Sequence, residues 1–206
     1  MDSLWDYHAG PLFLRAMTDS YITLAWIFKD RIDRAQKFIL YGLGQEKLQI
    51  EHLKVALDTV PAEDREALEQ RIEIQQAWLN SQHYSFLQQV DVGSWSGIST
   101  REMAKEAGCL DLYNHAYTGW SHAAHGTWNH IGRFDAWPSE EALHKHIWQP
   151  ANLEHGQYID VVIQGTKYFD DLCGLIVDEF KLKMTVPRPN DWLGERLNTL
   201  FSEMAP

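Results

Sequence analysis

Apolar positions recur at helical spacing along almost the whole chain. Residues 11–29, PLFLRAMTDSYITLAWIFK, are apolar on nearly every side. That pattern predicts a central helix, opened by Gly10-Pro11 because proline suits a first helical turn. Asp30 is placed to cap a second helix over about 31–57, whose stripe runs Ile32, Ala35, Phe38, Ile39, Leu43, Ile50, Leu53 and Leu57. Gly42 and Gly44 mark an expected kink in it. Thr59 and Pro61 start a third helix, 60–90, solvated in its first turns and buried on one side at its end. Residues 91–98, DVGSWSGI, read as a loop. Ser99 with Glu102 makes a capping box for a short helix that Gly108 ends.

A helix is expected over 110–130, then a loop over 131–150 that holds a short helix near 139–147, and a long helix over 150–184. Pro187 and Pro189 break the pattern, and Asn190 caps a last helix over 191–203. No stretch alternates well enough for a sheet, and no internal repeat is visible. The expected fold is all-α: a single-domain bundle of five or six main helices with short accessory helices. Residues 1–186 form the bundle and 187–206 a C-terminal packing helix.

Composition narrows the classes. The 206 residues suffice for one core, and a hydrophobic share of 45% excludes a disordered chain. The net charge of −11 excludes a broad basic face for duplex DNA. Residues 98–108, ISTREMAKEAG, look like the first half of a DNA-reading helix-turn-helix. The segment after them has no Lys or Arg with which to read bases. Cys109 and Cys173 lie far apart and read as reduced thiols of a cytoplasmic protein. The start, MDSLWDYHAG, lacks the basic and apolar regions of a signal peptide. Its abrupt opening fits a chain from which an earlier helix is missing.

The chemistry concentrates in residues 112–132, LYNHAYTGWSHAAHGTWNHIG. They carry four histidines and no Lys, Arg, Asp or Glu. The stretch is about as long as a membrane span, but so many polar groups would each need a partner in lipid, so no membrane role is expected. His115, Thr118, His122, His125 and Asn129 fall on one helical stripe, with Ser121 at its edge. On the early helix, Arg15 and Asp19 stand four apart in apolar surroundings, and they are the best partner in the chain for that stripe.

Three chemistries fit. His125 can act as acid and base while Arg15 holds an anionic, phosphate-like group. His122 and His125 can bind a metal with His115 or the Glu141-x-x-His144 pair, although a di-iron bundle needs two such motifs. Ser121 can serve as a nucleophile, but no strand–turn–helix elbow surrounds it. The plain alternative is a clasp in which these side chains satisfy one another across a helix contact.

Two segments resemble a known family. One is F-L-R-A-M-T-D-S-Y-I-T-L-A-W-I, residues 13–27, followed by Ala35-Gln36-Lys37-Phe38. The other is W-S-G-I-S-T-R-E-M-A-K-E-A-G, residues 95–108, followed by Tyr113, Tyr117 and Ser121-x-x-x-His125-Gly126. Over roughly residues 10–130 the pattern resembles a bacterial family of helical proteins known only as a domain of unknown function. Its members carry Arg and, four residues on, a carboxylate, and later Ser-x-x-x-His-Gly. Asp19 stands here where the longer Glu is expected.

That family is in turn similar to HEPN domains, small helical proteins that often act as metal-independent ribonucleases in toxin and phage-defence systems. The resemblance implies a catalytic set of Arg15 as anion binder, His125 as acid and base, and Asp19 and Ser121 as orienting groups. It implies no cofactor and no metal, with RNA as substrate and a homodimer or a protein partner. HEPN enzymes usually carry their Arg and His on one helix; here Arg15 and His125 sit on different ones. The competing expectation is a non-enzymatic interaction or scaffold module, with the Arg/Asp/Ser/His group as a buried clasp.

Overall fold

A computed structural model describes residues 8–82, 94–141, 143, 148–150 and 159–203. The protein is all-α. Among the described residues five long helices dominate: α1 (Ala9–Phe28), α2 (Arg31–Ala56), α3 (Ala62–Ser81), α8 (Ile159–Phe180) and α9 (Pro189–Glu203). Between α3 and α8 lie α4 (Thr100–Ala107), α5 (Leu110–Leu112), a π-helical segment (Tyr113–Tyr117), α6 (Thr118–Ala124) and α7 (Trp128–Phe134). Two compact units emerge, one of Ile27–Ser99 and one of Met1–Trp26 with Thr100–Pro206.

In the Ile27–Ser99 unit, α2 and α3 pair as a helical hairpin around Leu43, Ile50, Ile72 and Leu79. These positions repeat every seven residues within each helix, which is the seam that knobs-into-holes contact requires. α2 is one continuous helix through Gly42 and Gly44. α3 ends at Ser81, and the rest of the expected 60–90 helix lies outside the described residues.

The other unit is centred on α1, the π segment, α6 and α8. Leu14, Ala116, Val161 and Tyr168 form its core, with Met17, Leu112 and Trp120 against them. The Trp120 indole donates to the Tyr168 hydroxyl at 3.2 Å, which ties α6 to α8 and gives the half-buried indole N–H an acceptor. Gly10 lets α1 approach α8: a Cβ there would stand 2.8 Å from a Val161 methyl.

Several expected boundaries change. α9 begins at Pro189 rather than after an Asn190 cap, with proline in the first helical position. The Asn190 N–H points instead at the Asp170 carboxylate on α8 (3.4 Å), which the Arg188 guanidinium also grips through Nε and Nη2 at 3.1 and 2.7 Å. The short helix expected near 139–147 is not present in its described residues 139–141 and 143. A two-stranded antiparallel ladder flanks that region, β1 (Ala136–Pro138) with β2 (Trp148–Pro150), pairing Ala136 with Pro150 and Pro138 with Trp148. No described helix is long and apolar enough to cross a membrane.

Candidate functional site

The one helix expected over 110–130 is instead four segments, α5, the π segment and α6 running on from one another and α7 set off after Gly126. α4 ends at Gly108, at φ +81°, with the Cys109 N–H on the Ala104 carbonyl (2.8 Å) and the Gly108 N–H on that of Lys105 (3.2 Å). That is a Schellman ending. The same ending recurs at Gly126 (φ +55°), where Thr127 N–H bonds His122 O (3.1 Å) and Gly126 N–H bonds Ala123 O (3.3 Å). Gly126 is therefore a stop, not a small residue inside a helix. His125 becomes the C-cap of α6 and Thr127 the N-cap of α7. Upstream, the Thr118 N–H and hydroxyl both turn to the Tyr113 carbonyl, the latter at 3.0 Å, and this five-residue reach defines the π segment.

Three of the four expected site residues meet. Arg15 Nε donates to Ser121 Oγ at 2.7 Å, and Nη1 lies 2.6 Å from an Asp19 carboxylate oxygen. The guanidinium carbon sits 3.2 Å from the centre of the Tyr117 ring, a close cation–π stack. Ser121 passes its own proton to the Tyr117 carbonyl at 2.7 Å. Nη1 is buried and, apart from the Coulombic contact with Asp19, has no aligned acceptor among the described residues. Tyr117 in turn stacks on Tyr113, with ring centres 4.8 Å apart. His125 stays apart from this group. It is exposed, its backbone N–H bonds the Ser121 carbonyl (3.0 Å), and among the described residues no hydrogen bond or ion pair joins its imidazole to Arg15, Asp19 or Ser121.

The other histidines converge elsewhere. A cavity of about 830 Å³ is lined by His115, His122, Asn129, His130, Arg133 and Asp160, with Trp120, Phe134 and Val161 as apolar wall. The break at Gly126 decides which groups face it. Asn129 and His130 enter on α7, while His125 and Thr118 of the expected stripe do not line it. His122 is oriented on both sides: Nδ1 donates to the Thr127 hydroxyl (3.0 Å), and Nε2 accepts from the Asn129 amide at 3.4 Å. Thr127 returns its own proton to the His122 carbonyl at 3.5 Å, which leaves its oxygen as the acceptor for Nδ1–H.

His130 is 7% exposed. Burial pushes its pKa below the ordinary histidine value, the nearby His8 and His122 push the same way, and Asp135 opposes them. His8 Nδ1 stands 3.2 Å from His130 Nε2, and His8 Nε2 stands 3.3 Å from Asp135 Oδ1. Sequence reasoning passed over this trio. His8 is 122 positions from His130, and His130 lay off the expected stripe. The only legible hint was the Gly126-Thr127 pair, a stop followed by a cap residue. Of the metal ligands expected from sequence, His115 and His122 line the cavity and His125 does not; Glu141 is described but His144 lies outside the described residues.

No curated protein and no solved structure matches the chain. A family model does match, over residues 3–141, with the description "family of unknown function". It contains both the Arg15-x-x-x-Asp19 and the Ser121-x-x-x-His125-Gly126 segments. It names no activity, and it extends neither to HEPN domains nor to a bacterial source. Since that match spans well over half of the 206 residues, the chain belongs to the family of unknown function DUF5677.

Proposed function

We propose that the protein binds a small molecule in the histidine-lined cavity, and that Arg15, Asp19 and Ser121 fasten α1 to α6 behind it. One observation carries the proposal. Three imidazoles, an amide, Arg133 and Asp160 converge on one partly apolar space of about 830 Å³. Concave sites of roughly 300–1,000 Å³, with an apolar wall and few polar groups, are the usual form of ligand sites. Trp120 and Phe134 suit a planar body, and Arg133 suits an anionic group on it. Imidazole is the side chain most often used as a general acid or base, so acid–base chemistry on the ligand is within reach.

Arg15 is poorly placed for the reacting role, since its Nε, its Nη1 and its flat face are already engaged. The test is saturable binding of nucleoside monophosphates and aromatic carboxylates, followed by calorimetry. Ala123→Trp, which fills the cavity, should abolish it. Binding that survives Ala123→Trp, or no binding by any member of the panel, would overturn the reading.

A second reading, HEPN-like metal-independent RNA cleavage in a toxin or defence setting, is favoured by His125. Its imidazole is exposed and unengaged among the described residues, as a surface acid–base would be. It predicts that cleavage of RNA by the wild type disappears in His125→Ala. No cleavage by the wild type, or equal cleavage by both, would remove it.

A further inference from the structure

We propose that His8, His130 and Asp135 form a site for a divalent transition-metal ion at the edge of the histidine-lined cavity. The three residues offer one ligand atom each, and these atoms all lie within 4.8 Å of one another. Two imidazole nitrogens with one carboxylate oxygen suit zinc, iron(II), cobalt or nickel. Calcium and magnesium prefer sets made of oxygens alone.

The donors are held by the fold. His8 directly precedes α1, His130 lies inside α7, and Asp135 is the C-cap of α7 with its N–H on the Ile131 carbonyl at 2.8 Å. The His130 ring is fixed by Phe134, with centres 5.0 Å apart, and meets the His8 ring edge-on at 5.3 Å. Without an ion the trio forms a hydrogen-bonded chain. Asp135 accepts from His8 Nε2–H, so His8 Nδ1 is a lone pair, and it accepts from His130 Nε2–H. Two nitrogens sharing one proton at 3.2 Å is close to the spacing of neighbouring ligand atoms around one ion. On binding, each imidazole stays neutral and carries its proton on the nitrogen the ion does not use.

Three protein donors leave coordination positions open, as in catalytic rather than structural sites. Because His130 also lines the cavity, an open position there would face whatever the cavity holds. The set differs from the one expected from sequence, His122 and His125 with His115 or the Glu141-x-x-His144 pair, of which His115 and His122 line the cavity and His125 does not.

The test needs no organic ligand, so its outcome is separable from that of the cavity reading. Chelator-treated protein is titrated with Zn²⁺ by calorimetry and with Co²⁺ by visible absorption. One equivalent should bind, with the intense visible band of a low-coordinate cobalt site. His8→Ala and Asp135→Asn change side chains that are 48% and 38% exposed and should leave folding intact. Each should weaken binding by more than the ~10–100-fold that loss of an outer partner costs. His130→Ala should do the same where it folds, and His52→Ala, exposed on α2, should bind as the wild type does. No binding at one equivalent, or unchanged affinity in His8→Ala and Asp135→Asn, would overturn the proposal.

Discussion

Arg15 and Ser121 stand 106 positions apart in the sequence and share a hydrogen bond of 2.7 Å from Nε to Oγ. The bond closes α1 onto α6, and the Tyr117 ring lies flat against the same guanidinium. A planar side chain with donors on several edges is needed to serve three neighbours at once.

Arg15→Lys should therefore destabilise the protein although it keeps the charge. The expected loss is about 1–3 kcal/mol, from a charged hydrogen bond and a stacked face. In a chain of this size that lowers Tm by roughly 3–10 °C. Asp19 is 47% exposed on its side chain, so Asp19→Ala should cost no more than about 0.5 kcal/mol. Thermal unfolding of both variants checks this; equal losses would mean that the clasp is carried by the ion pair and not by Ser121 and Tyr117.

In the α2–α3 hairpin, Gln75 falls on the seam between Ile72 and Leu79, and its Oε1 is buried without a hydrogen-bond partner among the described residues. A buried acceptor left unsatisfied costs about 1–3 kcal/mol. Gln75→Leu should raise stability by about 1 kcal/mol, read as a higher denaturant midpoint at unchanged slope. A lower midpoint would show that Gln75 is not confined as described.

α8 ends on Lys181 in the left-handed region, φ 51°, with the Leu182 N–H on the Val177 carbonyl at 3.0 Å. A side chain pays conformational strain there that glycine avoids. Lys181 is exposed, so Lys181→Gly should stabilise by about 0.5–1 kcal/mol. Chemical denaturation decides, and a loss of stability would contradict the assignment of this turn.

The pKa of His130 is held below its unfolded value, chiefly by burial, with His8 and His122 adding and Asp135 opposing. The unfolded chain then binds more protons than the folded one between the two pKa values. Stability from this group is full above the unfolded value of about 6.5 and falls as pH drops below it. Metal-free protein should lose Tm on going from pH 7.5 to 5.5, and His130→Asn should flatten that slope. An unchanged slope would place the pH dependence elsewhere.

The extents of α1 and α2 were legible because periodicity, a leading Pro11 and the position of Asp30 all agree. Gly108 was legible as a stop because it follows a complete helical pattern. The pairing of Arg15 with the Ser121 stretch followed from the need of a charge on an apolar helix for a partner. Gly126 was not legible. Its neighbours continue an uncharged helical pattern, and only the backbone turn reveals that the register is lost. The meeting of His8, His130 and Asp135 depends on where α7 points after that turn, which no local spacing encodes.

The π segment at Tyr113–Tyr117 sets the angular phase of everything after it. Its wide turn amounts to one extra residue wound into the helix. Each residue of an α-helix turns the next by about 100°. Winding the same residues into regular α geometry, with none removed, would swing α6 by about 100°, a little over a quarter turn round its axis. Ser121 would leave Arg15 and His122 would leave the cavity together. The one extra residue in that turn therefore sets both the lock on α1 and the lining of the cavity, and a chain that loses the wide turn without losing a residue should lose the two as one.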